Sequence, residues 1–281
     1  MQLKVLPSPA HAHTLDTNPP MVELRDVTVA YADNAVLNDV TLSIPQGAHV
    51  AVVGPNGAGK STLFKALAGL IPLQQGSILW RGKSLGASGV RIAYIPQRCE
   101  VDWEFPVLVR DVVLMGRYRQ IGWLHRPSAR DQAATMEALA QLGIANLATS
   151  PIGELSGGQQ QRAFLARSLA QEAELLLADE PFTGVDASTQ EVILRVFEDL
   201  RERGVTVLVS THDLNMAINR FTTSMLLNQR LIAFGPSEEV FTSDLVRHTF
   251  DSQVYEVDGG LVIDQCCSHD GEFDNAHELQ D

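Results

Sequence analysis

The 281-residue sequence predicts an α/β fold: a mixed sheet, mainly parallel and covered by helices, with an antiparallel β layer ahead of it and a helical insertion within it. Three observations lead there. An apolar run at residues 48–53 passes through a glycine-rich loop straight into helical spacing at 60–68. From about residue 107 to 149 the periodicity is helical alone. Beyond that, short apolar runs alternate with helical patterns, the order expected of a parallel sheet with helices on its faces.

Each element has its own warrant. Residues 22–31 and 36–44 alternate and are rich in Val, Leu and Thr, with Ala32-Asp33-Asn34 as the turn, which predicts an antiparallel pair. Residues 48–53 read as a short buried strand, and 77–80 and 92–95 as further strands. The insertion holds Asp111-Val112-Val113-Leu114-Met115 and an amphipathic stretch at 129–142. Then come a helix at 158–170, a strand at 174–179, a helix at 187–203 and a strand at 205–210. Residues 224–227 and 231–234 pair as a hairpin across Asn228-Gln229. There is no internal repeat.

The loop between the strand at 48–53 and its helix is Gly54-Pro55-Asn56-Gly57-Ala58-Gly59-Lys60-Ser61-Thr62, which fits G-x-x-x-x-G-K-[ST] at every fixed position. Its glycines let backbone N–H groups turn inward around a triphosphate, and the helix that follows points its positive end at the same anion. Lys60 is placed to reach the β- and γ-phosphates and the Ser61 hydroxyl to ligate Mg²⁺. The loop predicts a P-loop NTPase core that binds a nucleoside triphosphate.

Composition narrows the class. No apolar run approaches the length of a membrane span, and three cysteines, two of them adjacent as Cys266-Cys267, do not make a disulfide framework. A cytoplasmic location is expected. The net charge of −13 is uneven: residues 251–281 hold nine acidic residues and no Lys or Arg, so the first 250 carry only −4. That balance argues against nucleic acid as a partner, because a nucleic-acid binder shows a basic face. Residues 1–20, with His11, His13 and four prolines, read as a flexible arm without a targeting segment.

A second constellation follows the phosphate loop. Leu155-Ser156-Gly157-Gly158-Gln159-Gln160-Gln161-Arg162 opens a helix, and Glu174-Leu175-Leu176-Leu177-Ala178-Asp179-Glu180 is an apolar strand ending in two carboxylates. Each is weak alone. In this order, and with Gln97 and His212, they resemble the ATP-binding cassette (ABC) ATPases from residue 22 to about 244. The resemblance implies an ATPase domain over 21–250, with a helical subdomain at about 106–155. It implies that Tyr31 stacks on adenine, that Asp179 holds Mg²⁺ through water together with Ser61 and Gln97, and that Glu180 is the general base or water-positioning carboxylate. Gln97, in Tyr94-Ile95-Pro96-Gln97, is implied to touch Mg²⁺ and the attacking water. His212 resembles the switch histidine that contacts the γ-phosphate. Ser156, Gly157, Gly158 and Gln159 are implied to close over the ATP of a second subunit, in a head-to-tail homodimer with Asp186 at its seam. Here the seam reads Thr183-Gly184-Val185-Asp186, where many relatives carry Ser-Ala-Leu-Asp.

Val101-Asp102-Trp103-Glu104-Phe105-Pro106, then Asp111 to Arg117, Gly122-Trp123 and Pro181-Phe182-Thr183-Gly184-Val185-Asp186 resemble the metal-ion importers for manganese, zinc or iron. That resemblance implies ATP-driven import through membrane permease subunits, served indirectly by an extracytoplasmic metal-binding protein, with this chain peripheral on the cytoplasmic face of the inner membrane. A siderophore or haem importer and a non-transport ABC ATPase are the alternatives. Trp103, Phe105 and Trp123 are either core aromatics or a socket for a coupling helix. Arg117, Arg119, Arg126 and Arg130 read as a solvated face. The acidic tail at 251–281 is expected to be mostly disordered, and Cys266, Cys267, His269, Asp270 and His277 are either metal ligands or part of a solvating segment.

Overall fold

The structure, a computed structural model, describes residues 19–32, 34–97, 106–122 and 124–250, with the backbone of 254–257 and 260–263. In the amino-terminal layer, β1 (Val22–Tyr31) pairs antiparallel with β2 (Asn34–Ile44), Val22 opposite Ile44, and later with β4 (Gln75–Trp80). Their alternation buries Val22, Leu24, Val27 and Val29 on one face. Between them run β3 (His49–Val53) and α1 (Lys60–Leu67), and after β4 come α2 (Leu85–Ser88) and β5 (Ile92–Ile95).

Between residues 109 and 154 the described elements are all helical, as the periodicity predicts: α3 (Val109–Leu114), a 3₁₀ turn, α4 (Tyr118–Ile121), α5 (Ala129–Gln141) and two further 3₁₀ turns. The chain then alternates through α6 (Gly157–Ala170), β6 (Leu175–Asp179), α7 (Ala187–Glu202), β7 (Thr206–Thr211), α8 (Leu214–Arg220), β8 (Thr223–Asn228) and β9 (Arg230–Pro236). Two short helices, α9 (Ser237–Val240) and α10 (Ser243–Phe250), precede a hairpin of β10 (Val254–Val257) and β11 (Gly260–Ile263). That hairpin lies at the start of the stretch expected to be disordered, where Val254, Tyr255, Leu261, Val262 and Ile263 supply β-formers that an acidic average conceals.

The main sheet has the order β5-β6-β7-β3-β8-β9, parallel except for β9. Both faces are covered, so its inner strands are continuous apolar runs rather than alternating ones. Alternate residues still separate two cores. Val50, Val52, Leu175, Leu177 and Leu208 pack toward the antiparallel layer and α1. Ala51, Val53, Leu176, Ala178, Val207 and Val209 pack toward the helices on the other side, in one continuous cluster that includes Val109, Val112, Val113, Leu139, Leu142 and Phe164. The helical segment therefore shares its core with α6 and the sheet.

Arg117 corrects the reading of a solvated basic face. It is 3 % exposed, its Nε donates to Asp131 Oδ1 at 3.1 Å, and Nη1 donates to the Ala170 carbonyl at 3.0 Å and pairs with Glu172 at 2.9 Å. Asp131 on α5 and two acceptors at the end of α6 compensate the buried guanidinium. Arg119, Arg126 and Arg130 are exposed as expected. Trp103, Phe105, Trp123, the arm at 1–18 and the Cys/His residues of the tail lie outside the described residues.

Candidate nucleotide site

The phosphate loop is set by two close approaches. Gly54 lies so near β8 that a Cβ would stand 2.0 Å from the Leu227 carbonyl oxygen. Gly59, the N-cap of α1, has φ +93°, and a Cβ there would meet Leu37 and the Val36 carbonyl. The loop is also tied across the molecule: the Gln229 N–H donates to the Ala58 carbonyl at 2.8 Å, and the Gln229 carbonyl accepts from the Asn38 N–H at 2.7 Å. Gln229, at the β8–β9 turn with φ +56°, thus joins the antiparallel layer to the loop. Sequence reading gave it no role beyond the turn.

Lys60 is buried, and its Nζ donates to the carbonyls of Gly54 at 2.7 Å and Pro55 at 3.0 Å. Burial lowers its pKa, and the carboxylates of Glu180 and Asp179 oppose that shift. Pro55 to Gly59 follow the strand in irregular backbone, and Ser61 and Thr62 lie in the first turn of α1.

Strand order brings the other groups to the same place. β6, β7 and β3 are neighbours, with Val53 opposite Thr211 and Asp179 opposite Ser210, so the chain leaves all three strands at one edge. In an open α/β sheet, this carboxyl-terminal edge is where ligands bind. Glu180 follows β6 and stands 3.9 Å from Lys60 Nζ and 3.8 Å from His212 Nδ1. Its Oε2 accepts from Gln97 Nε2 at 2.8 Å and from Thr183 Oγ1 at 3.2 Å. Three sequence-singled residues, Lys60, Gln97 and His212, therefore converge on the carboxylate of a fourth, Glu180, with Asp179 buried beside it. Thr183 joins them, although the sequence placed it only within the Pro181 to Asp186 stretch and gave it no role of its own. His212 is 59 % exposed and Tyr31 is 47 % exposed at the end of β1.

The remaining sequence candidates form a second group. Ser156 is the N-cap of α6: its side chain accepts from the Gln159 N–H, while the Gln159 side chain accepts from the Ser156 N–H at 2.9 Å, closing a capping box. The S-x-x-Q spacing in the motif has this local role, which sequence reading did not extract. A Cβ on Gly158 would lie 3.5 Å from Thr189 Oγ1 and 3.8 Å from Asp186 Oδ2. Asp186 caps α7, accepting from Ser188 Oγ and from the Thr189 N–H at 2.9 Å, and these bonds hold its carboxyl down to about 2. Gln161 Nε2 donates to the Pro181 carbonyl at 3.3 Å, tying α6 to the segment after Glu180.

The described residues hold no group of three or more His, Cys, Asp or Glu arranged to bind a metal ion, and no helix among them is long and apolar enough to cross a membrane. The arrangement can cradle a triphosphate, oppose its charge with a buried cation and set a carboxylate beside the terminal phosphate.

A phosphate loop at the carboxyl edge of a parallel sheet, facing a strand that ends in two carboxylates, defines a nucleoside-triphosphate hydrolase of the P-loop class. Residues 37–183 match the ABC transporter family, and the chain belongs to it. The manganese transport system ATP-binding protein MntB of Bacillus subtilis is 48 % identical over 233 residues, spanning 83 % of this chain and 93 % of that protein. The zinc transport system ATP-binding protein TroB of Treponema pallidum is 46 % identical, spanning 83 % and 88 %. Among solved structures, a metal-chelate type ABC transporter in an inward-facing conformation superposes with a TM-score of 0.73 at 29 % identity, covering 86 % of this chain and 95 % of that one. A nucleotide-free ATP-binding cassette from an ABC transporter, 22 % identical with a TM-score of 0.68 over 82 % and 94 %, shares the fold. The chain is an ABC ATPase that binds ATP.

Proposed function

We propose that this chain is the ATP-hydrolysing subunit of an ABC import system for a transition-metal ion, with manganese first and zinc or ferrous iron next. In this reading two copies close head to tail on two ATP molecules and drive integral membrane permease subunits, from a peripheral position on the cytoplasmic face of the inner membrane. An extracytoplasmic metal-binding protein delivers the ion. The convergence of Lys60, Gln97 and His212 on Glu180 supports the chemistry most directly. The names of the MntB and TroB relatives support the cargo, and the absence of a spanning helix among the described residues is consistent with a separate permease.

Each group then has a task. The loop Gly54-Pro55-Asn56-Gly57-Ala58-Gly59 wraps the phosphates with its backbone N–H groups, Pro55 shaping the turn without one of its own, with Lys60 at the β/γ bridge and Thr62 in the first turn of α1. Tyr31 offers a half-exposed ring for adenine. The hydroxyl of Ser61, the carboxylate of Asp179 and the amide oxygen of Gln97 are hard oxygen donors that suit Mg²⁺, which keeps several waters. Bound there, the ion would neutralise charge on the β- and γ-phosphates. Glu180 orients a water for in-line attack and takes its proton. His212 contacts the γ-phosphate. Ser156, Gly157, Gly158 and Gln159 face the partner subunit's ATP, with Asp186 at the seam.

Glu180→Gln tests the assignment. It removes the base and keeps the phosphate loop intact. ATP binding should persist while turnover falls about 100-fold or more. Turnover at the native rate would remove Glu180 from the mechanism. Uptake of radiolabelled manganese, zinc and iron by cells lacking the chain would identify the cargo.

A further inference from the structure

At the end of β7 a hydroxyl joins the two carboxylate residues, and no motif accounts for it. Ser210 is completely buried, at 0 % exposure, after the apolar run Val207-Leu208-Val209. A hydroxyl in such surroundings is costly unless its hydrogen bonds are made. Here they are: Ser210 Oγ donates to Asp179 Oδ1 at 2.6 Å and accepts the N–H of Glu180 at 2.8 Å. The short donation to a carboxylate is of the strong, charge-assisted kind. It fixes the direction of the relay, because the one hydroxyl proton is spent on Asp179 and a lone pair must therefore meet Glu180.

The backbone at Glu180 explains why a clamp is needed. Its φ is +46°, the left-handed region that a non-glycine residue enters only when its surroundings hold it there. The turn leads the chain away from β6 so that the Glu180 side chain reaches Gln97 and approaches Lys60. The N–H that Ser210 accepts belongs to the residue with the unusual φ.

We infer that Ser210 is a positioning residue for ATP hydrolysis. It holds Asp179 and Glu180 as one unit, with the first carboxylate aimed for the metal and the second for water. The inference rests on the proposed roles of Asp179 and Glu180.

The test uses the full chain with ATP and MgCl₂, comparing wild type with Ser210→Ala, Ser210→Cys and Ser210→Thr, beside Asp179→Asn and Glu180→Gln. Ser210→Ala should lower kcat about tenfold, the loss of one hydrogen bond to a charged group. It should also raise the Mg²⁺ concentration for half-maximal rate, while nucleotide affinity measured without Mg²⁺ stays native. Ser210→Cys, a near-isosteric weak donor, should move the same way if alanine proves unstable. Ser210→Thr keeps the hydroxyl and should recover at least a third of the native rate, although its added buried methyl lowers the melting temperature. A merely structural serine would change melting temperature and leave kcat and Mg²⁺ dependence within twofold, and that result from both Ala and Cys variants overturns the inference. Native turnover by Glu180→Gln would instead defeat the base assignment. Ser210 would then stand or fall on the Mg²⁺ dependence, which acts through Asp179.

Discussion

At the scale of single residues, burial decides which groups matter and burial is what a linear sequence shows least. His49 opens β3 at 3 % exposure, stacked on Phe221 at 4.5 Å between ring centroids, and neither ring nitrogen has a hydrogen-bond partner among the described residues. Burial, helped by the positive charge of Arg201, lowers its pKa from 6.5 to about 4. The folded protein therefore keeps His49 neutral over a range in which the unfolded chain takes up a proton. Above pH 6.5 His49 contributes no pH dependence. Stability falls as pH drops from about 6.5 to about 4, by at most about 3 kcal/mol. His49→Phe keeps the ring stack and should flatten the melting temperature over that window, whereas an unchanged pH profile would show that another group governs it. Gly54 makes a second case. The motif demands a glycine there for phosphate contact, but the structure demands it because a Cβ would collide with the Leu227 carbonyl. Gly54→Ala should cost about 2–3 kcal/mol of stability as well as ATP affinity. A variant that melts like wild type would mean that β8 yields. The phosphate loop was legible from its own spacing, whereas Asp179, Glu180, Gln97 and His212 were reached only through the resemblance to the ABC ATPases, and the fold gathers them at one edge of the sheet. Ser210, Thr183 and Gln229 were not legible, because each acts through a contact made between distant strands.

At the scale of elements, the apolar periodicity reports which segments form and is silent about what they touch. β6 is legible as a strand because four consecutive apolar residues, Leu175 to Ala178, leave no polar face, and the structure buries them all. α5 is legible from its period, while Ser128, which caps the helix in a box with Asp131, was not singled out in the sequence. The arginines beside it were misread because pattern reasoning sends isolated charges to solvent. Arg117 instead joins the 3₁₀ turn after α3, the first turn of α5 and the end of α6 through Asp131, Glu172 and the Ala170 carbonyl. Removing one partner of a buried pair is more damaging than its exposed counterpart suggests, because the remaining charge loses its compensation. Arg117→Ala should lower the melting temperature by about 8 °C. Arg119→Ala, exposed in the same segment, should leave it within about 1–2 °C. Equal effects from the two would show that the guanidinium contributes no more than its length. The short β10–β11 hairpin escaped for the opposite reason, since an acidic average over the whole tail hides two four-residue strands.

At the scale of the molecule, the motif residues fall into two separate groups, and the proposed head-to-tail dimer would leave each chain holding only half of each site. Lys60, Asp179, Glu180, Gln97 and His212 gather at the edge of the sheet, while Ser156 and Gly158 lie with Asp186 in a second group at the starts of α6 and α7. The exposed amino-terminal end of α6 offers N–H groups to an anion. Under the proposed head-to-tail arrangement that anion is the partner subunit's ATP, and each composite site draws one face from each chain. Complementation separates this arrangement from a self-sufficient subunit. A Lys60→Ala chain keeps its Ser156 face, and a Ser156→Arg chain keeps its phosphate loop, so a mixture contains one intact composite site per heterodimer, whereas either variant alone contains none. Ser156→Arg also removes the N-cap of α6, worth about 1 kcal/mol, so its folding is checked first by thermal melting. The expected outcome is ATP-dependent dimerisation in the mixture, seen as a shift in sedimentation, together with partial ATPase activity that neither variant shows alone. If Ser156→Arg hydrolysed ATP by itself at the native rate, or the mixture stayed as inert as its parts, the face at Ser156 would have no place in the site, and the two groups of residues would have to be explained separately.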